Sequence, residues 1–238
     1  MPDPRELVVE ISGLEKDYRG LRPLRIRDFV VARGESFALL GFDAAAAEVL
    51  VNLITAATLP DRGEVRAFGQ PTTAIQDAVT WLTSLDRFGI VSERAIVLDE
   101  MTVEQNLALT LSMALHDLSP EILAAVATAA AEVGFSGDQL GRIVSTLSPP
   151  DRLRLRLARA LCPNPSLLLA EHPNASLSDD DGRAFAADYA QIVGARAITS
   201  VVVTADRAFA TAIATQVFVL EPATGELKPL TAWRRWFG

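Results

Sequence analysis

Along the first forty residues, β-branched and apolar positions alternate with turn residues at 7–11, 26–31 and, after the Arg33-Gly34-Glu35 turn, 36–40; this spacing predicts three strands. An Ala-rich run over 44–57 carries Val49, Leu50, Leu53 and Ile54 at helical spacing, so a helix is expected to start just after Gly41. The middle of the chain changes character. Stretches 102–118 and 120–133 are rich in Ala and Leu, and 151–161 alternates Arg with Leu, which predicts three helices. Short continuous apolar runs at 166–170 and 198–204 read as buried parallel strands around a helix over 179–193. A helix at 207–214, a strand at 216–220 and a turn at Gly225 complete the series. Strands alternating with helices imply an α/β fold with a mainly parallel sheet, and the helical stretch of about 94–160 reads as an insertion within one domain over 1–238.

Half of the 238 residues are hydrophobic, enough to fill a core. Lys and Arg number 22 against 30 Asp and Glu, a net charge of -8, which argues against nucleic acid or an anionic lipid surface as a direct partner. One cysteine, Cys162, excludes an internal disulfide and points to a small buried hydrophobe in a reducing compartment. Two histidines, His116 and His172, leave little material for a metal site, and none is expected. The first ten residues have neither the basic nor the apolar region of a signal peptide, so no leader is expected. The most apolar stretches fall short of the roughly 20 residues that cross a bilayer.

A strand that ends in Gly41 and turns directly into a helix is where phosphate binds, because helix N-terminal N–H groups face an anion there. The phosphate-loop pattern is G-x-x-x-x-G-K-[ST]. Gly41-Phe42-Asp43-Ala44-Ala45-Ala46-Ala47-Glu48 keeps its frame without its chemistry. Asp43 is a candidate N-cap for the following helix.

Further landmarks follow in order. They are Asp17-Tyr18, Asp61-Arg62-Gly63-Glu64-Val65 with Phe68-Gly69, Ile90-Val91-Ser92-Glu93 before Thr102-Val103-Glu104-Gln105-Asn106-Leu107, and Thr146-Leu147-Ser148-Pro149-Pro150-Asp151 before Leu157-Ala158-Arg159-Ala160-Leu161. The run from Leu167 through Glu171, His172 and Pro173 to Ser178, and Val201-Val202-Val203-Thr204-Ala205-Asp206, complete the set. Taken in register over roughly residues 7–230, these resemble the ATP-binding subunit of ABC transporters. The resemblance implies a P-loop NTPase fold: a RecA-like parallel sheet, an N-terminal antiparallel β portion and the inserted helical subdomain.

It also implies site positions, and the chain departs from the family at most of them. Tyr18 falls where an aromatic stacks on adenine; Gly41 opens the phosphate loop, but Ala47 stands for its lysine and Glu48 for its Mg²⁺-binding hydroxyl. With Ala44 and Ala46 in place of loop glycines, any turn needing positive φ would be strained. The Q-loop glutamine position holds Glu93; the signature reads Ser148-Pro149-Pro150-Asp151, with prolines that cannot donate an N–H; the switch histidine position holds Ala205. Glu171 aligns with the Mg²⁺-anchoring aspartate and His172 with the catalytic glutamate, where imidazole could serve as a base near neutral pH.

Each residue also has a plainer reading: a half-buried aromatic on a strand edge for Tyr18, a solvated or salt-bridged carboxylate for Glu171, a satisfied loop histidine for His172. The Arg152, Arg154, Arg156 and Arg159 series reads as a charged helix contacting its neighbours. Residues 233–237, Trp-Arg-Arg-Trp-Phe, read equally as an interface or as a segment covering the core. Three functions remain open. One is a non-hydrolysing subunit acting structurally or as a regulator beside a membrane permease and a second ATP-binding subunit; ATP and Mg²⁺ then bind weakly or not at all. Another is an active but divergent transport ATPase, which needs an arginine such as Arg33 or Arg62 in place of the lysine. The last is an interaction scaffold without a permease.

Overall fold

The computed structural model describes residues 6–75, 77–115 and 117–230; His116 and the 233–237 cluster lie outside them. Among the described residues, β1 (Leu7–Lys16) pairs antiparallel with β2 (Leu24–Ala32) on one side and β4 (Arg62–Ala67) on the other, and β5 (Gln70–Pro71) extends β4. The second sheet has the order β10-β9-β3-β8-β7-β6, formed by β3 (Ser36–Leu40), β6 (Phe88–Val91), β7 (Leu167–Glu171), β8 (Thr199–Val203), β9 (Gln216–Glu221) and β10 (Glu226–Pro229). All its pairings are parallel except that of β9 with β10.

The period of two along these strands divides the interior. Ala38, Leu40, Leu168, Ala170 and Val202 face one core, shared with the helices; Phe37, Leu39, Leu167, Leu169, Val201 and Val203 face another, shared with the antiparallel sheet. On the antiparallel side lies α1 (Ala44–Ile54); on the other lie α3 (Val103–Ala108), α4 (Pro120–Glu132), α5 (Pro149–Leu161), α6 (Asp179–Arg196) and α7 (Arg207–Ile213). In α5, Leu153, Leu155, Leu157 and Leu161 are buried, while Arg152 and Arg159 turn to neighbours, Asp99 at 2.7 Å and Asn106 at 3.1 Å, and the buried Nε of Arg156 has no partner.

Two expectations need correction. The helix expected over 102–118 ends at Ala108, because Thr110 Oγ1 donates to the Leu107 carbonyl and Ser112 Oγ accepts from Ala114 N–H, local bonds that compete with helix continuation. Tyr18 lies past the end of β1 and not on a strand. The structure adds β4, β5, α2 (Ala78–Leu85), β6 and β10 to the elements the pattern predicts. β6 is only four residues and includes Gly89, where a Cβ would stand 2.6 Å from the Ala160 carbonyl; the glycine lets α5 pack against the strand.

Cys162 is 7% exposed, as a small core residue should be, and burial pushes its thiol up to about 11. A raised folded-state value favours the neutral thiol, so its stabilising contribution is intact below its ordinary value of 9.0 and is lost as pH climbs toward about 11. The native chain should resist a thiol reagent at pH 8 and release one reactive thiol on denaturation; rapid labelling of the native chain would contradict this burial. Leu155→Ala, at a position with no exposed surface, should cost about 2–5 kcal/mol in denaturant unfolding.

Candidate functional site

Because β3, β6, β7 and β8 run parallel, their carboxyl ends share one edge of the sheet, where α/β proteins place ligands. Gly41, Ser92, Glu171 and Thr204 follow or end these strands. Gly41 has φ +89°, and a Cβ there would lie 2.8 Å from the Leu220 carbonyl, so both backbone and space demand glycine.

The turn from β3 into α1 takes only three residues. Asp43 is the N-cap, with Oδ1 accepting from Ala46 N–H at 2.7 Å, and the helix begins at Ala44. Ala44 and Ala46 therefore form the first helical turn with negative φ, and the strain expected of a glycine-less loop does not arise. Ala47 is fully buried in the core beneath the helix, whereas Glu48 emerges half-exposed beside the sheet edge.

Opposite Glu48 stands Glu171, only 7% exposed at the end of β7. Sequence reasoning looked to Arg33 or Arg62 for a cation near the phosphate loop and did not single out Arg94, which the structure places between Glu171 and Glu48. Its Nε and Nη2 donate to Glu171 at 3.1 and 2.5 Å, and its Nη1 donates to Glu48 at 2.9 Å. Ser92 Oγ donates to Glu171 Oε2 at 3.0 Å and accepts from Arg94 N–H at 3.1 Å. Hydrogen bonding to Glu171, and the charges of Glu171 and Glu48, hold the guanidinium above its ordinary value against the opposing effect of burial. Glu93, the next residue back, is exposed. Arg33 instead pairs with Glu6 at 2.6 Å, and Arg62 begins β4; neither lines the cavity beside Gly41.

That cavity, about 370 Å³, lies between the β1–β2 connection and the start of α1. Tyr18, Arg22, Arg25, Gly41, Asp43 and Ala46 line it, so the structure brings Tyr18 to Gly41 while Ala47 stays underneath. A second cavity of about 360 Å³ is lined by His172, Asn174, Thr204, Ala205 and Asp206 among others. Thr204 Oγ1 donates to Asn174 Oδ1 at 3.0 Å, Asn174 Nδ2 donates to Asp206 Oδ2 at 3.2 Å, and Asp206 caps α7. His172 departs from the expectation of a satisfied loop histidine: its φ is +41° and its buried Nε2 has no partner. The signature-like residues open α5, where Ser148 Oγ accepts from Asp151 N–H at 3.3 Å and donates to Asp151 Oδ2 at 2.8 Å, with Pro149 and Pro150 in the first turn.

Comparison with known proteins fixes the class to which this geometry belongs. Residues 24–175 match the family described as ABC transporter, and the chain belongs to that family as a nucleotide-binding subunit. Over 217 residues, it is 29% identical to a sulfate/thiosulfate import ATP-binding protein of Caulobacter vibrioides, covering 90% of this chain and 62% of that protein's length. A Clostridium perfringens protein described as part of an ABC transporter complex has the same fold, with TM-score 0.79 at 20% identity over 93% of this chain and 87% of its own. So does an ATP-binding cassette solved as a dimer in a post-hydrolysis state with ADP and Pi, with TM-score 0.73 at 21% identity over 92% of this chain and 96% of its own.

Asp43→Ala removes this cap and should lower stability by about 0.5–2 kcal/mol in urea unfolding, with the m-value unchanged. An unchanged midpoint would contradict a stabilising role for the cap.

Proposed function

We propose that this chain is a nucleotide-binding subunit of a transport complex that neither binds Mg²⁺-ATP strongly nor hydrolyses it, and that serves as a structural or regulatory member. The observation that carries the reading is the Arg94 guanidinium between Glu48 and Glu171. Those two residues align with the family's magnesium-site positions, so a cation already lies between the carboxylates. The family's phosphate-loop donors are missing too: Asp43 takes the Ala46 N–H, Ala47 lies in the core, and Lys16 and Lys228, the only two lysines, are distant in sequence; Arg22 and Arg25 are the cations lining the cavity beside Gly41, and Arg25 is paired with Glu15. Magnesium-bound triphosphate does not fit this set of residues. Ala205 and Glu93 lack the groups that the family has at their positions, and in this reading no nucleotide is held for the orphaned Nε2 of His172 to act on.

In this reading the chain is one domain over 1–238 with its helical subdomain at about 94–160, and it works with two partners. The first is a membrane permease, met on its cytoplasmic side; no described helix of this chain is itself long and apolar enough to cross a bilayer. The segment 94–160 exposes Ile96 at 75% and Met113 at 87%, with Leu98, Leu123 and Ile143 less so, side chains suited to burial against such a partner. The second partner is another ATP-binding subunit, paired as the ADP-bound cassette is paired with its copy. Pro149 and Pro150 at the start of α5 have no N–H for a phosphate held across that interface, so neither shared site would be complete.

Calorimetric titration of the purified chain with Mg²⁺-ATP should give no binding up to millimolar nucleotide. The Ala47→Lys, Glu48→Ser variant serves as the comparison. Micromolar affinity in the natural chain would contradict the proposal and favour a divergent ATPase.

A further inference from the structure

Glu171 and Glu48 face one cation from two sides of the sheet edge. All three guanidinium nitrogens of Arg94 are engaged, two on Glu171 and one on Glu48, and both Glu171 oxygens receive a donor. An ammonium could not supply this planar fork. Remove the guanidinium and a nearly buried carboxylate would face a second carboxylate and the Ser92 hydroxyl, a cluster of oxygens of the kind that hard divalent cations take.

The same residue also holds the path of the chain. Beyond β6 the backbone leaves the sheet for the helices, and Ser92 and Arg94 anchor its first turn to β7 and α1. The far end is fixed separately: Asn106 bonds both the N–H and the carbonyl of Leu98, at 2.8 and 2.9 Å, and Asp99 accepts from Arg152. Between the two anchors lies the exposed Ile96.

We propose that Arg94 is a built-in substitute for a divalent cation: it occupies the space between Glu48 and Glu171, excludes metal from it, and fastens the segment leaving β6 to the sheet without any ligand. The inference rests on the reading that this chain holds no magnesium-bound nucleotide, and it specifies which residue closes the site.

The test compares the natural chain with Arg94→Gln and with the double variant Arg94→Gln, Glu171→Gln, using Mn²⁺ alone, followed by electron paramagnetic resonance and thermal unfolding. The natural chain should bind no Mn²⁺ at millimolar concentration and show no change in Tm with the ion. Arg94→Gln should lose roughly 4–8 °C of Tm, the effect of stranding a buried carboxylate, then take up Mn²⁺ and regain much of that loss. The double variant should lose the Mn²⁺ site. Binding of Mn²⁺ by the natural chain as tightly as by Arg94→Gln would overturn the proposal, as would an Arg94→Gln chain that keeps its Tm or never binds the ion. Should Arg94→Gln fail to fold, Arg94→Lys carries the test: it should fold with a lowered Tm and bind no Mn²⁺, and a Tm equal to that of the natural chain would overturn the role of the fork. No nucleotide enters the experiment, so ATP binding by the natural chain would defeat the functional reading and leave the metal comparison standing on its own result.

Discussion

A carboxylate that is 7% exposed at the end of a central parallel strand is costly to keep charged unless a cation and hydrogen-bond donors meet it. Glu171 is such a group, and Arg94 with Ser92 satisfies it. Much of the local architecture follows from that pairing. β6 must end beside β7 for Ser92 to reach across, the chain must turn at once so that Arg94 doubles back, and α1 must present Glu48 to the third guanidinium nitrogen. In the proposed reading, this edge of the sheet is thereby closed with side chains of the protein itself.

The two helix N-termini of the resemblance are treated in the same way. Asp43 fills the start of α1 and Ser148 the start of α5, each accepting from an N–H that a bound anion could otherwise use. Pro149 and Pro150 suit a first helical turn, where missing N–H groups cost nothing to the helix and deny a donor to any phosphate. The alanines of the Gly41 turn likewise favour a helix that starts early over a wide loop. These features share one physical result: helix ends and charges are satisfied internally.

Much of the fold was legible because β3, β7 and β8 are buried on both faces and read as continuous apolar runs, while α1, α4, α5 and α6 hold helical spacing under clear caps. β4 was not, since Arg62-Gly63-Glu64-Val65-Arg66-Ala67 has one fully buried side chain, and β6 is too short to show a period. At the site, Gly41, Glu48, Glu171 and His172 were placed by their order along the chain, and the structure brings the first three to one edge. Arg94 left no signal. Its partners lie 77 and 46 positions away, and nothing local marks one arginine among many as the residue that crosses the sheet edge. The partnerless Nε2 of His172 was equally hidden, because it depends on the packing of the loop around it.

The central claim is that this sheet edge is closed from within and does not respond to nucleotide. Amide hydrogen exchange on the natural chain, with and without saturating Mg²⁺-ATP, addresses it directly in peptides covering residues 41–50 and 90–98. The account predicts identical exchange in both. Protection of either peptide by Mg²⁺-ATP would show that Arg94 gives way to a ligand, and would contradict it.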